Sequence, residues 1–565
     1  VGKVLLVTPA SLTSNWAQEI EKWIGRERLP YMLVGEGGRK PKGQVADFCS
    51  ASYSGREEVL ILSYEAAQQH AALLKAAPPF ALLVCDEAHR LKNRKAKSYL
   101  NLDALAATRR VLLTGTPLQN ELSEYYALVS FASPGLLGAE PFFTREFAKP
   151  IKAGIAKEAS AAERALADAK QRQLSQRCLG MMLRRTQEES ARYLPPKTEL
   201  VVCCRLTQLQ KELYLTLLDS KAEVERTEAM GGGAARSMAR SMQYVTLLGK
   251  ACTHPNLLYF DHRDTDAKAA APPPIPPSVW PAHFNPLDES ALWEWSGKMR
   301  VCHRLLASLR PQRVVLASNH ARTLDLLQAM CEQNLWPTLR LDGQTPAKER
   351  LGLVEQFNAA RTARDSGQQP WIFLLSSKAG GTGLNLVGAA RLILFDPSWN
   401  PAIDQQVLAR IWRPGTTAQR VVTYRLLTTG SLEEKVYQRQ LLKGDYSCGA
   451  VDGAGEDAHR YYTSDELAQV FEFDGSTFSS TYELQGFEQN LCCDDDPHLA
   501  AAVATGWVSH VHEQGKEAAA ARGEAPLQEV PLNAAGVATL GPAEPTSEAA
   551  RAWMQGGGGG GHDGG

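Results

Sequence analysis

The chain has 565 residues, 44% hydrophobic and 22% charged, enough for two or three globular domains that each bury a core. Its formal net charge of −1 averages two unlike parts: from Gly449 onward 19 acidic residues outnumber 4 basic ones, whereas the first 448 residues carry 57 basic against 43 acidic. No apolar run approaches the roughly 20 residues of a membrane-spanning helix, the start VGKVLLVTPASL lacks a secretory signal, and 11 cysteines without a CxxC pair speak for reduced thiols inside a cell.

Four runs of four to six aliphatic residues, in KVLLVTPASL, VLILSYE, FALLVCDEAH and RRVLLTGTPLQN, read as parallel strands buried on both faces with loops at their carboxyl ends. Helical intervals such as TSNWAQEIEKWI and EAAQQHAALLKAA separate them, so residues 1–145 predict a doubly wound α/β lobe. Residues 146–260 turn to helical periodicity with charge pairs and almost no strand signal, and are expected to be a helical insertion. Prolines in 261–290 forbid regular helix or central strand, which suggests a linker or exposed insert. The α/β rhythm returns over 291–448 with RVVLASN, TLRLDG, WIFLLSS, ARLILFDPSWNP and RVVTYRLLT, giving a second lobe. Residues 449–565 read as an acidic, low-complexity and largely disordered tail, with one short helix in RYYTSDELAQVFEFD.

Asp86 and Glu87 close the third apolar run of the first lobe. A carboxylate pair at a strand end can hold nucleotide-bound magnesium through one acid and polarise water with the other, although DEAH can also be a solvated turn. Thr114 and Thr116 in TGTP could sense a γ-phosphate or cap a turn. In the second lobe Gly381 and Gly383 of LSSKAGGTGLNL allow close backbone approach to a ligand, or a tight turn. Arg410 and Arg413 lie three apart, a spacing that lets two guanidinium groups clamp a phosphoryl group or simply sit solvated on one helix face. The succession carries more weight than any member: acids and TGTP in one lobe, glycine loop and paired arginines in the other, half a site each.

In that order the motifs resemble the Swi/Snf-type ATPases of helicase superfamily two. LLVTPASLTSNWAQEIEKW is similar to motif Ia, DEAHRLKN to motif II, LLTGTPLQNELSEYYALVSFASPGLLG to motif III, LSSKAGGTGLNL to motif V and DQQVLARIWRPG to motif VI, over residues 3 to about 445. Through LRRTQE, RLDGQTP, ARIWRPG and SLEEKVYQRQ the resemblance leans to the Rad fifty-four type of recombination-repair translocase. It implies two RecA-like lobes, ATP and magnesium as cofactors, and double-stranded DNA and a recombinase or chromatin protein as partners, in the nucleus and away from membranes. Asp86 would hold magnesium, Glu87 activate water, Gln406 order the site, and Arg410 and Arg413 reach the phosphates, with Thr114, Thr116, Gly381 and Gly383 against the nucleotide. DNA contacts would fall on Thr8, Ser11, Asn120, Ser318, Ser377 and Trp399. Nucleosome remodelling and a catalytically dead DNA-binding scaffold are the alternative functions.

The resemblance has two departures. Family members place a GxGKT-type phosphate loop one βαβ step, roughly 30 residues, before motif Ia. None of the GK pairs present stands in that frame, which predicts poor hydrolysis by these 565 residues alone. The tail offers Cys492, Cys493, His498, His510 and His512 to a metal, but adjacent cysteines make poor tetrahedral ligands, so zinc is not expected.

Overall fold

The computed structural model describes residues 2–514, apart from 51, 53–54, 116–121, 156–158, 184, 186–190, 230–233, 262–274, 287–291, 311, 360–368, 381–383, 442–470, 485–487 and 492–495. The first sheet is built from β1 (Val4–Thr8), β2 (Tyr31–Leu33), β3 (Val59–Ser63), β4 (Phe80–Cys85) and β5 (Ala107–Leu112), all parallel in the order β2-β3-β1-β4-β5. Successive residues of β1 point to opposite cores: Leu5 and Val7 pack with Phe48, Leu83 and Phe131 on one face, Leu6 with Ala17, Ile20 and Ile61 on the other. Burial on both sides is why the run reads as continuously aliphatic instead of alternating. The edge strand β5 is different, leaving Val111 41% exposed, with Leu113 just beyond it 37% exposed.

The second sheet holds β6 (Lys197–Cys204), β7 (Val314–Ser318), β8 (Thr338–Leu341), β9 (Ile372–Ser376), β10 (Arg391–Leu394), β11 (Val421–Thr428) and β12 (Val508–Glu513). Its order is β12-β6-β11-β10-β7-β9-β8, parallel except for β12 against β6. Here too both faces are covered, Val314 and Leu316 facing one core and Val315 and Ala317 the other. Two doubly wound, RecA-like lobes are therefore present, as the sequence predicts, within a single structural unit of residues 1–513.

The lobe boundaries differ from those expected. The segment read as purely helical contains β6, whose eight residues pair in register with β11 from Lys197 opposite Val421 to Cys204 opposite Thr428. Helices flank it on both sides, among them Ala161–Cys178, whose start carries a capping box between Ser160 and Glu163. In the region expected to be a linker, Trp280 stacks on Phe284 with ring centroids 4.9 Å apart, and both meet Tyr259 edge-on. Residues 471–514 of the expected disordered tail are also folded onto the second lobe in part. Asp496 accepts from Arg391 at 3.1 Å and from the Tyr424 hydroxyl, and caps the helix Pro497–Val503, which packs against the helix Gly297–Leu309. The short helix expected in RYYTSDELAQVFEFD falls mostly outside the described residues, as does everything after residue 514.

Candidate nucleotide site at the strand ends of the two lobes

β4 lies between β1 and β5, and the ladder continues past its last residue: Asp86 N donates to Val7 O at 2.8 Å, Leu113 N to Cys85 O at 2.9 Å and Ala88 N to Leu113 O at 2.8 Å. The acidic pair is thus held from both neighbouring strands. Glu87 is bent into the left-handed region, φ 47° and ψ 49°, a conformation that costs a non-glycine residue on the order of 1 kcal/mol and recurs at functional sites. Asp86 is surrounded by donors. Its Oδ1 accepts from Glu87 N at 2.8 Å, its Oδ2 from the Trp16 indole N–H at 2.8 Å and, more weakly, from Thr8 Oγ1 at 3.5 Å, while Tyr64 donates to its backbone carbonyl at 2.8 Å.

These two carboxylates fit a magnesium–nucleotide. Asp86 Oδ1 accepts a single donor and so keeps a lone pair for a metal-bound water. Glu87 Oε2 is buried without a hydrogen bond, as is the His89 Nδ1 that lies 3.2 Å away. A buried carboxylate oxygen in that condition is stabilised by a water or a cation.

The arginines come from the second lobe. The helix Pro401–Leu408 starts with proline at its first position and Asn400 accepting from Ala402 N at 3.1 Å. A buried Asp404–Arg425 pair at 2.6 Å, with Gln440 on the same oxygen at 2.8 Å, fixes its orientation. The chain then turns through Arg410–Arg413, tied by Leu386 N to Arg410 O at 2.9 Å and by the Trp412 indole to Pro195 O at 2.8 Å. Arg410 is half-buried: burial and the neighbouring Arg413 push its guanidinium down to about 10, against the opposing pull of Glu87 and Asp86. Burial also lowers Arg413, but the acid that pulls against it is Glu19. The acids that pull on the two arginines thus differ, Glu87 and Asp86 for Arg410 and Glu19 for Arg413.

The other expected residues divide. Thr8 and Ser318 are fully buried and Ser377 is 2% exposed, so none of these side chains is open to DNA here. Thr8 reaches Asp86, and Ser318 donates to Asp396, whose Oδ1 also accepts from Asn319 N and Nδ2. Each hydroxyl sits at the carboxyl end of a central strand, where it serves a buried acid. Ser11 is half-buried in the turn Ala10–Leu12, and Trp399 lies on the surface, 41% exposed, with Arg439 over its ring at 5.6 Å. Gln406 is half-buried on the arginine helix, and Thr114 half-buried just after β5. Thr116, Asn120, Gly381 and Gly383 lie outside the described residues.

Sequence reasoning passed over Trp16, Tyr64, Glu19 and His89. Trp16 and Glu19 sit three apart in TSNWAQEIEKW, a spacing that puts both on one helix face and could have flagged them. Among the described residues no group of three or more His, Cys, Asp and Glu side chains is placed to hold a metal. Of the tail residues weighed for zinc, His498 bonds Ser308 and Gln312, His510 accepts from Asn490 N at 3.0 Å, and His512 stacks on Tyr482 at 4.2 Å. Cys492 and Cys493 are outside the described residues.

Comparison with known families agrees with this architecture. Residues 1–257 match the SNF2-related domain and residues 297–415 the helicase conserved C-terminal domain. The chain belongs to the SNF2-related ATPase family of helicase superfamily two. Within it, the chain is similar to the RAD54 group: it is 38% identical over 513 residues to mouse DNA repair and recombination protein RAD54B, covering 89% of this chain and 55% of that one. It is 42% identical over 457 residues to rice DNA repair and recombination protein RAD54 (78% and 45%), and 39% identical over 501 residues to CHROMATIN REMODELING 25 of Arabidopsis thaliana (86% and 53%). The chain spans about half the length of these relatives. A solved SWI2/SNF2 ATPase core of Sulfolobus solfataricus in complex with dsDNA covers 84% of this chain and 87% of that one at 23% identity and a TM-score of 0.35, a likeness too loose to bear on the site.

Proposed function

We propose that this chain is the motor portion of an ATP-dependent double-stranded DNA translocase that acts in homologous recombination and repair by remodelling recombinase filaments or nucleoprotein. The observation that carries the reading is the opposition of Asp86 and Glu87, at the strand ends of one lobe, to Arg410 of the other. A carboxylate pair fixed at a strand end, with Glu87 Oε2 buried and without a hydrogen bond, suits a magnesium–nucleotide, whose phosphates an arginine of the other lobe can neutralise. The names of the RAD54 relatives support the process, and the basic excess of the first 448 residues supports the polymer.

Magnesium, when bound, neutralises the phosphate charge. Asp86, anchored by Trp16 and Glu87 N, would hold the metal, Glu87 would orient the attacking water and take its proton from its fixed left-handed turn, and Arg410 would meet the charge that develops on the transferred phosphoryl group. Because these groups belong to different lobes, hydrolysis requires the lobes to close, and release lets them open. If both lobes grip the DNA backbone, each cycle shifts one grip past the other, and affinity rests on phosphate contacts without sequence preference. Nuclear location follows from the process proposed.

The test uses the protein at its native length. Linear duplex DNA should stimulate ATP turnover and drive displacement of a triplex-forming strand, and Glu87→Gln should lower turnover at least about 100-fold while leaving DNA affinity within a few fold. DNA affinity should fall steeply and linearly on a log–log plot against salt. Turnover indifferent to DNA, or retained in Glu87→Gln, contradicts the proposal.

A further inference from the structure

We propose that Trp16 is a positioning residue for the metal-binding carboxylate Asp86. The inference rests on the hydrolytic reading above. The helix Thr13–Trp23 packs Ala17 and Ile20 against Leu6 and Ile61 of the first sheet, with the half-buried Trp16 beside them, which makes it a rigid part of the lobe. From it the Trp16 indole N–H reaches Asp86 Oδ2 at 2.8 Å, the shortest side-chain hydrogen bond to either acid. An indole nitrogen donates and cannot accept, so this contact exists only while Asp86 presents an oxygen to it.

The geometry shows what the bond accomplishes. A carboxylate held at one oxygen alone can rotate about its Cβ–Cγ bond, and a second donor on the other oxygen stops that rotation. Glu87 N holds Oδ1 and Trp16 holds Oδ2, and together they fix the plane of the group.

The experiment has a readout that does not depend on turnover. In the full chain labelled with 15N-tryptophan, the Trp16 indole N–H, assigned by its loss in Trp16→Phe, should resonate downfield as a hydrogen bond to a carboxylate requires. It should move upfield in Asp86→Asn, and it should shift when magnesium and a non-hydrolysable ATP analogue are added. In the native-length protein Trp16→Phe should raise the half-saturating magnesium concentration for ATP hydrolysis about 10-fold, the effect of losing one charge-assisted hydrogen bond, while DNA affinity and the thermal midpoint stay near those of the parent. An indole resonance unmoved by Asp86→Asn overturns the proposal, and Trp16→Tyr supplies the assignment where Trp16→Phe fails to fold. So does an unchanged magnesium requirement in a folded Trp16→Phe protein that hydrolyses ATP. A protein with no ATPase activity but an indole resonance that follows Asp86 would refute the hydrolytic reading and keep the hydrogen bond.

Discussion

Lys298 is 1% exposed, donates to Phe395 O at 3.2 Å and forms an ion pair with Glu433, which also accepts from Thr428 N at 2.9 Å. Burial alone would lower the lysine, but Glu433 and Asp396 outweigh it and hold its pKa up. Lys298→Met leaves Glu433 buried beside an apolar chain and should cost about 3–5 kcal/mol, most of it recovered in Lys298→Met/Glu433→Gln, as read by urea unfolding. His254 is the pH-sensitive counterpart. Burial pushes it down to about 4, its Nε2 lies 2.8 Å from Leu292 O and its Nδ1 accepts from Asn256 N, so the folded state keeps it neutral. The unfolded chain takes up that proton near pH 6.5, so its contribution is complete above that value and is lost as pH falls toward 4, on the order of 3 kcal/mol in all. Urea midpoints measured across this window should fall with pH, and less steeply in His254→Gln.

Elements show where the sequence was legible. Strands β1, β3, β4, β7, β9 and β10 announce themselves because both of their faces are buried and almost every residue is aliphatic. β6 was legible in principle, since KTELVVCC is rich in β-branched and small apolar residues, but helical sequence on either side hid it, and only its pairing with β11 gives it a place. β12 is harder still: VSHVHE alternates weakly inside an acidic, low-complexity tail, and its pairing partner lies about three hundred residues away. What anchors that segment is Asp496. Asp496→Ala should remove the carboxylate that Arg391 and Tyr424 share, cost about 2–4 kcal/mol, and make residues 471–514 markedly faster to cleave in limited proteolysis with the first sheet unaffected.

At the scale of the whole molecule, motif order predicts a site shared by two lobes, because carboxylates and guanidinium groups must meet across a nucleotide wherever they lie in the chain. Motif order did not announce the inner structure of that site. It assigned Thr8 and Ser318 to DNA, although a hydroxyl at the end of a central strand is buried and binds the nearest acid. It treated Arg410 and Arg413 as equals, although the acids that pull on them differ, Glu87 and Asp86 for Arg410 and Glu19 for Arg413. The asymmetry makes the decisive test simple: DNA-stimulated ATP turnover of Arg410→Ala and Arg413→Ala in the native-length protein, with nucleotide affinity measured alongside. An arginine acting on the transition state predicts a fall of about 1,000-fold or more for Arg410→Ala with affinity changed only a few fold, and a smaller loss for Arg413→Ala. Turnover of Arg410→Ala within threefold of the parent would contradict a site shared between the lobes.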